Sequence, residues 1–403
     1  MLKGAPRLPN DESSHPVAFC VSDTVCVPTW LPLTNTEKLT ALPPLVCALA
    51  GSAKHAAVSA PRLRWRKSPR VPDIPDIRDI RDEYRIILGG AGWIDRPGRG
   101  RLRLDGADAG VFLQALVSND VTRVGPGQGI YATYLTPNGR MLADFEIYRR
   151  PDAWFLGLAA ERATAIAQRL DQSIFSEDVQ VADVTSTFAE LVVVGGRAAA
   201  ALTDALSVTT AGLEALGELG QVELDEGFIA RAGDSKLPMF AVVVPGARRR
   251  DVIERLEAAG VRTISTALVE ALRIDAGRPR FGADMTEETI PLEAGLLDRA
   301  ISTTKGCYVG QEIVIRILHR GGGRVARRLV TLSFDEPPSG TPPAGTPLYD
   351  GDKNIGQLTS VSASPATANL IALGYVHRDL AEVGREVLVG DTGIRATVTS
   401  FAR

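Results

Sequence analysis

Cysteine and histidine are scarce: the 403 residues include four of each. Four scattered cysteines cannot build a disulfide framework, and so few suit a reducing compartment such as the cytoplasm. The two residue types form no CxxC, HxxxH or HExxH spacing, so no zinc-type cluster is encoded. Long apolar runs are also missing. No stretch reaches the ~18 uncharged apolar residues of a spanning helix, so no membrane role of that kind is expected. Excess charge is absent too: 45 Lys and Arg against 48 Asp and Glu leave a net charge of −3. A non-specific nucleic-acid binder needs a basic surplus, so direct nucleic-acid binding is not expected. What is present is 45% hydrophobic and 23% charged residues. That balance suits a globular protein with enough apolar mass for several packed cores.

Residues 1–82 differ from the rest. They hold 11 of the 25 prolines and three of the four cysteines, Cys20, Cys26 and Cys47. Helical or strand periodicity is poor, and Lys54 to Arg70 carries basic residues with no acid. This composition predicts a disordered or weakly packed extension. Leu39 to Ala53 has the apolar core of a targeting signal but is broken by Pro43 and Pro44. The extension is read as genuine chain, a targeting segment or an overextended start; the residues do not choose.

Gly89-Gly90-Ala91-Gly92 resembles a dinucleotide-binding fingerprint, but Asp95 stands where the third glycine belongs and Pro97 follows. A Rossmann domain is therefore not expected. Beyond it, strands and helices alternate. Asp108 is placed to cap a helix bearing Phe112, Leu113 and Leu116. Runs 127–135 and 141–149 read as strands joined by Asn138-Gly139, a hairpin turn. A strand at 153–158 and a helix at 161–175 follow. Then come strands 187–195, 221–231 and 239–244, with helices 196–207, 248–260 and 266–276. Frequent hairpins favour α+β over a doubly wound sheet. After about Gly321, short β-type runs between Gly, Pro and Asp turns predict a small barrel or sandwich. Residues 337–347 read as a linker or loop.

Residues 278–324 carry the chemistry. Gly282, Gly295, Gly306 and Gly310 punctuate a run of ionisable and aromatic residues, poor material for a core but suited to close approach of a ligand. Within it stands Lys305-Gly-Cys307-Tyr308-Val-Gly310-Gln311-Glu312. An ammonium two residues away, with a helix N-terminus after Gly310, would make the Cys307 thiol more reactive. A buried inert thiol beside a solvated Lys305 is the plainer alternative.

This octet resembles the signature of the YgfZ-type folate-binding proteins, relatives of the glycine-cleavage T-protein (aminomethyltransferase). Arg99 to Asp108, Ser118-Asn-Asp120, Gly139 to Arg149, Arg273 to Gly277, Gly282 to Glu293 and Leu373-Gly-Tyr375 are similar to family patterns in the same order. The resemblance covers residues 84–403. It implies an α+β, three-domain cloverleaf around a central folate cavity, with a C-terminal small β-barrel. Residues 84–320 would form the interleaved folate-binding domains and residues 325–403 the barrel.

The resemblance further implies tetrahydrofolate, or a derivative, as cofactor. Tyr308 would offer a flat face, Asp144 and Gln311 polar groups for the pterin edge, and Arg316 and Arg320 charge for the glutamate tail. Glu312 completes the expected folate-binding set. In the T-protein, the stretch resembling Gly139 to Arg149 carries two adjacent acids, one serving one-carbon transfer; here it reads Ala143-Asp144. Asp234 is the one candidate for a pterin-anchoring acid. The Cys and Tyr of the octet favour the YgfZ branch. That branch implies support for iron–sulfur cluster assembly or repair, with effects on cluster enzymes such as those that modify tRNA. The expected partners are assembly factors or cluster-containing clients, with Cys307 as chemical centre and Lys305 tuning it. One Cys cannot hold a cluster alone. The alternatives are a tetrahydrofolate-dependent aminomethyltransferase and a folate-binding regulatory module without chemistry.

Overall fold

The computed structural model describes residues 77–320, 322–336, 340–367 and 369–403. The expectations for residues 1–76, including any targeting role, lie outside the described residues. Residues 77–82 are corrected: they begin a helix, Ile77–Gly89, rather than ending an extension. Ile80, Tyr84 and Ile87 fall on one face of that helix, and Ile80 and Ile87 are fully buried. The Glu83 carboxylate accepts bonds from the backbone N and Oγ of Ser265, the N-cap of helix Thr266–Asp275. The two helices are thereby tied together.

The glycine run that ends the first helix starts a strand, Gly92–Asp95, the reverse of a nucleotide-binding turn. That strand joins a six-stranded sheet with Arg262–Thr263, Phe188–Val194, Met239–Pro245, Gly227–Arg231 and Gln221–Leu224. The chain then leaves to build a second, antiparallel sheet: Gly129–Leu135, Met141–Arg149, Trp154–Ala159, Arg99–Asp105 and Gln180–Asp183. It returns to the first sheet at Phe188. Two α+β halves are therefore interleaved. The expected strand over 221–231 is instead a hairpin, turning at Asp225-Glu226 into Gly227 at φ +135°.

The hairpin at Asn138-Gly139 forms as its sequence predicts, with Gly139 at φ +69° and the Thr136 amide donating to the Arg140 carbonyl at 2.8 Å. Residues Arg327–Phe334, Leu370–His377, Lys353–Ala363, Pro347–Asp350, Glu386–Val389 and Ile394–Phe401 close into a barrel. Strands approach closely there. A Cβ on Gly356 would lie 1.8 Å from the Tyr375 carbonyl oxygen. This is the α+β fold with a C-terminal barrel that the sequence predicts.

Each sheet has an apolar core. Leu102, Leu104, Phe145, Ile147 and Leu156 pack under helices Ala109–Leu116 and Ala160–Asp171. Val193, Phe240 and Val242 pack under helices Ala198–Leu206 and Arg249–Ala258. A third cluster joins the halves: Tyr131, Tyr148 and Phe155 from one sheet meet Phe228 from the other, with Phe281 and Tyr308 beside them. Burying one such ring is worth about 1.5–3 kcal/mol, so this cluster fixes how the two sheets face each other.

Candidate functional site

Period-two alternation builds the site. On strand Met141–Arg149, Ala143, Phe145 and Ile147 enter the apolar core of their own sheet. Asp144, Glu146 and Tyr148 therefore share the other face. Strand Arg99–Asp105 is built the same way, with Leu102 and Leu104 in the core and Arg101 and Arg103 opposite. Between these strands runs Trp154–Ala159, where Gly157 is in register with both Glu146 and Arg101. A Cβ there would lie 3.1 Å from Glu146 Oε2 and 3.4 Å from an Arg99 nitrogen. The missing side chain lets Arg99 and Glu146 pair across the central strand, at 2.8 Å.

The second half supplies the complement. Glu190, buried on strand Phe188–Val194, pairs with Arg101 at 2.6 Å and Arg96 at 3.3 Å. Arg96 also reaches Asp234 at 3.2 Å. Arg299 pairs with Glu218 at 2.5 Å and lies 3.9 Å from the centre of the Tyr131 ring. Tyr131 in turn donates its hydroxyl to Asp144 Oδ2 at 2.6 Å, and Tyr148 donates to Glu146 Oε2 at 3.0 Å.

These surroundings set protonation. Burial pushes the Asp234 carboxyl up, but Arg96, Arg299, Arg99 and Arg273 together outweigh it and hold it down to about 2. Burial likewise opposes the ionisation of Glu146, and Arg99, then Arg96, overcome it and lower its pKa. Burial raises the phenols of Tyr131 and Tyr148 well above their ordinary value, helped by Asp144 and Glu146 respectively. Both tyrosines stay protonated and act as donors.

Asp144 stands apart. Glu146, Glu190 and Asp234 are all matched to guanidinium groups, whereas among the described residues no basic side chain forms an ion pair with Asp144. It lines a cavity of about 380 Å³ with Arg96, Arg99, Glu161, Arg280 and Phe281. Its Oδ2 is held by Tyr131, which leaves Oδ1 to face a ligand. The arrangement can accept or move a proton in a cavity whose lining arginines, Arg96, Arg99 and Arg280, are each paired with a carboxylate.

The other expected residues lie elsewhere. The Lys305 ammonium donates to the carbonyls of Gln114, Val117 and Asn119 at 2.7, 2.6 and 3.0 Å. All three of its donors are spent at the C-terminal end of helix Ala109–Leu116, where the helix dipole favours a cation. Burial lowers its pKa to about 8, against an opposing pull from Asp120. Cys307 is an exposed free thiol. Tyr308 is buried in the cluster between the halves, and burial raises its phenol to about 12. Gln311 and Glu312 open helix Gln311–His319. Glu312, Arg316 and Arg320 line a separate cavity of about 350 Å³ that shares no lining residue with the Asp144 cavity.

Of the expected set, then, the structure gathers Asp144 and Asp234 with one another's neighbours. The arginines at 96, 99, 101 and 299, together with Tyr131, Glu146 and Glu190, were not anticipated. For Arg99, Arg101 and Glu146 a signal was present as alternation, Arg-x-Arg-x-Arg at 99–103 and Asp-x-Glu-x-Tyr at 144–148; Arg96, Arg299, Tyr131 and Glu190 lie outside those patterns.

Residues 53–305 match the GCVT N-terminal domain, and residues 327–402 match the glycine cleavage T-protein C-terminal barrel domain. The chain belongs to the glycine-cleavage T-protein (GCVT) family. An aminomethyltransferase of Thermosynechococcus vestitus is 29% identical over 312 residues, 76% of this chain and 82% of the relative. One of Listeria welshimeri is 26% identical over 311 residues, covering 76% and 84%. The crystal structure of glycine cleavage system aminomethyltransferase T from Bartonella henselae superposes with a TM-score of 0.71 at 25% identity, covering 80% of this chain and 88% of that one. These relatives overturn the expectation of iron–sulfur cluster assembly or repair and of effects on tRNA modification, because each is named an aminomethyltransferase. Among the described residues, no helix is long and apolar enough to cross a membrane.

Proposed function

We propose that the chain is a tetrahydrofolate-dependent aminomethyltransferase whose working carboxylate is Asp144. The observation that carries this reading is a buried carboxylate, without an ion pair among the described residues, held by a phenol at the wall of a cavity large enough for a pterin. The residues fit folate chemically: Asp144 Oδ1 for a ring or bridge nitrogen, Phe281 for a flat face, and Arg280 for an anionic tail. The loss of one acid from the family's pair does not count against transfer. Ala143 packs in the apolar core, on the face away from the cavity, so an acid there would not reach a ligand. When bound, tetrahydrofolate supplies the nitrogens that take up the one-carbon unit. Asp144 would orient the nitrogen and take up its proton, while the buried ion pairs hold the wall in place. The Lys305–Glu312 octet supports a place for the chain near the YgfZ-type folate-binding branch of the family.

The test supplies an aminomethyl thioether and tetrahydrofolate and follows methylene-tetrahydrofolate, free thiol and ammonium in equal amounts. Asp144→Ala is expected to lower kcat by about 10²–10⁴-fold, the usual contribution of a positioned acid–base group. Cys307→Ala is expected to keep wild-type turnover. Tetrahydrofolate binding by the wild type without turnover would reduce the protein to a folate-binding module. Loss of turnover in Cys307→Ala with retention in Asp144→Ala would refute the assignment.

A further inference from the structure

Thr359 and Ser360 are neighbours on barrel strand Lys353–Ala363, and adjacent side chains on a regular strand point to opposite faces. Here the register slips. Leu358 pairs with Gly374 and Ser360 with Leu373, so Thr359 is left without a partner position. A bulge of this kind re-aims side chains. Both hydroxyls turn to one carboxylate: Thr359 Oγ1 and Ser360 Oγ donate to Asp284 Oδ1 at 2.6 and 2.7 Å. Asp284 Oδ2 accepts from Arg273 at 2.7 Å and from the Arg280 backbone N at 3.0 Å. The Asp284 side chain is fully buried.

Arg273 extends the same knot. It donates to Ser360 Oγ at 2.9 Å, to both oxygens of Glu270, and to the Arg278 carbonyl. Glu270 in turn pairs with Arg280 at 2.8 Å. The barrel, helix Thr266–Asp275 and the segment from Arg278 to Asp284 thus meet at one polar centre. That segment has no helix or strand of its own, and four of its residues, Arg280 to Ala283, form one wall of the Asp144 cavity.

We infer that the barrel bulge is a positioning device for the cavity: Thr359 and Ser360 act through Asp284 to set where the Arg280–Ala283 wall stands, and so set the affinity for the ligand. This rests on the reading of the cavity as a tetrahydrofolate site. The barrel then contributes to binding without touching the ligand. A merely structural role for the two hydroxyls would alter barrel stability and nothing at the cavity.

The experiment compares the full chain with Thr359→Val/Ser360→Ala and with Thr359→Ser, which keeps the hydroxyl. Tetrahydrofolate affinity is measured by fluorescence titration, amide hydrogen exchange over residues 279–285 by mass spectrometry, and Tm alongside. Losing two bonds to a buried carboxylate is expected to weaken binding about tenfold and to speed exchange at the wall about tenfold. Thr359→Ser should stay within about twofold of wild type on both. Affinity and exchange both unchanged in the double variant, whatever its Tm, overturn the inference. If the wild type binds no tetrahydrofolate, the ligand reading falls by itself, and wall exchange alone decides the positioning role: unchanged exchange refutes it. If the double variant does not fold, Thr359→Val is judged by the same two readouts.

Discussion

Asp144 and Glu146 sit two residues apart on one strand and meet different fates because of what faces them. Arg99 reaches Glu146 across Gly157, whereas among the described residues Asp144 receives the Tyr131 hydroxyl and no ion pair. An O–H donor 2.6 Å from a carboxylate is a charge-assisted bond, worth roughly 1.5–3 kcal/mol. Burial keeps the phenol protonated, so the bond persists at any pH at which the carboxylate is charged. Arg299, stacked on the Tyr131 ring and tied to Glu218, holds that ring in place. Tyr131→Phe keeps the ring and its packing but removes the donor. It is expected to lower kcat about tenfold or more, with tetrahydrofolate KM changed by less than about threefold, because the loss falls on the orientation of one oxygen. Steady-state kinetics of the purified variant decide it, and an unchanged kcat would remove Tyr131 from the machinery.

Helix Ala109–Leu116 ends on Lys305, a residue almost two hundred positions later, and its last carbonyls have that ammonium as donor. Lys305→Met preserves the stem and removes the charge, leaving buried carbonyls without a donor. The expected cost is about 1–3 kcal/mol. For a chain of this size that lowers Tm by about 1–5 °C, read by a thermal melt. The same variant reports on Cys307. Because all three ammonium donors are committed to carbonyls, alkylation of the thiol is expected to change by less than about twofold; a tenfold slowing would show that Lys305 tunes it. Elements with a strong local signal were legible in the sequence: the Asn138-Gly139 hairpin, most barrel strands and the helix after Asp108, although the Asp108 carboxylate accepts from the Asp178 amide at 2.9 Å instead of capping that helix. Helix Ile77–Gly89 was not, because prolines and an Asp-Ile-Arg repeat masked the Ile80, Tyr84, Ile87 spacing. The site was half legible. Asp144 was found, but Glu190 lies within an apolar strand, Ala-Glu-Leu-Val-Val-Val, and its partner Arg101 stands 89 positions away. Only the crossing of the two sheets makes them neighbours.

At the scale of the molecule, the two halves are joined by an apolar cluster and by buried charge. Arg101 of one sheet pairs with Glu190 of the other, both almost fully buried. Such pairs contribute little to stability against an apolar replacement, yet breaking one leaves an uncompensated charge and costs several kcal/mol. Their worth is therefore in fixing how the sheets meet, and hence the shape of the cavity between Arg99, Asp144 and Arg280. The same charges make the protein sensitive to acid. Asp234 titrates near 2 when folded, below its ordinary value of 3.8, and Glu146 and Glu270 are lowered as well. A carboxylate with a depressed folded pKa binds fewer protons folded than unfolded. Its stabilisation is complete above the unfolded value and is lost as pH falls toward the folded one. Tm is therefore expected to fall between about pH 4.5 and pH 2, with Asp234 alone accounting for about 2 kcal/mol. Asp234→Asn should lose that amount at neutral pH, because Arg96 keeps only a neutral amide, and should show a shallower decline in acid. Melts of both proteins across this range test the argument: parallel curves would mean that Asp234 is not the group that titrates, and that the junction of the halves draws its acid sensitivity from Glu146 and Glu270 instead.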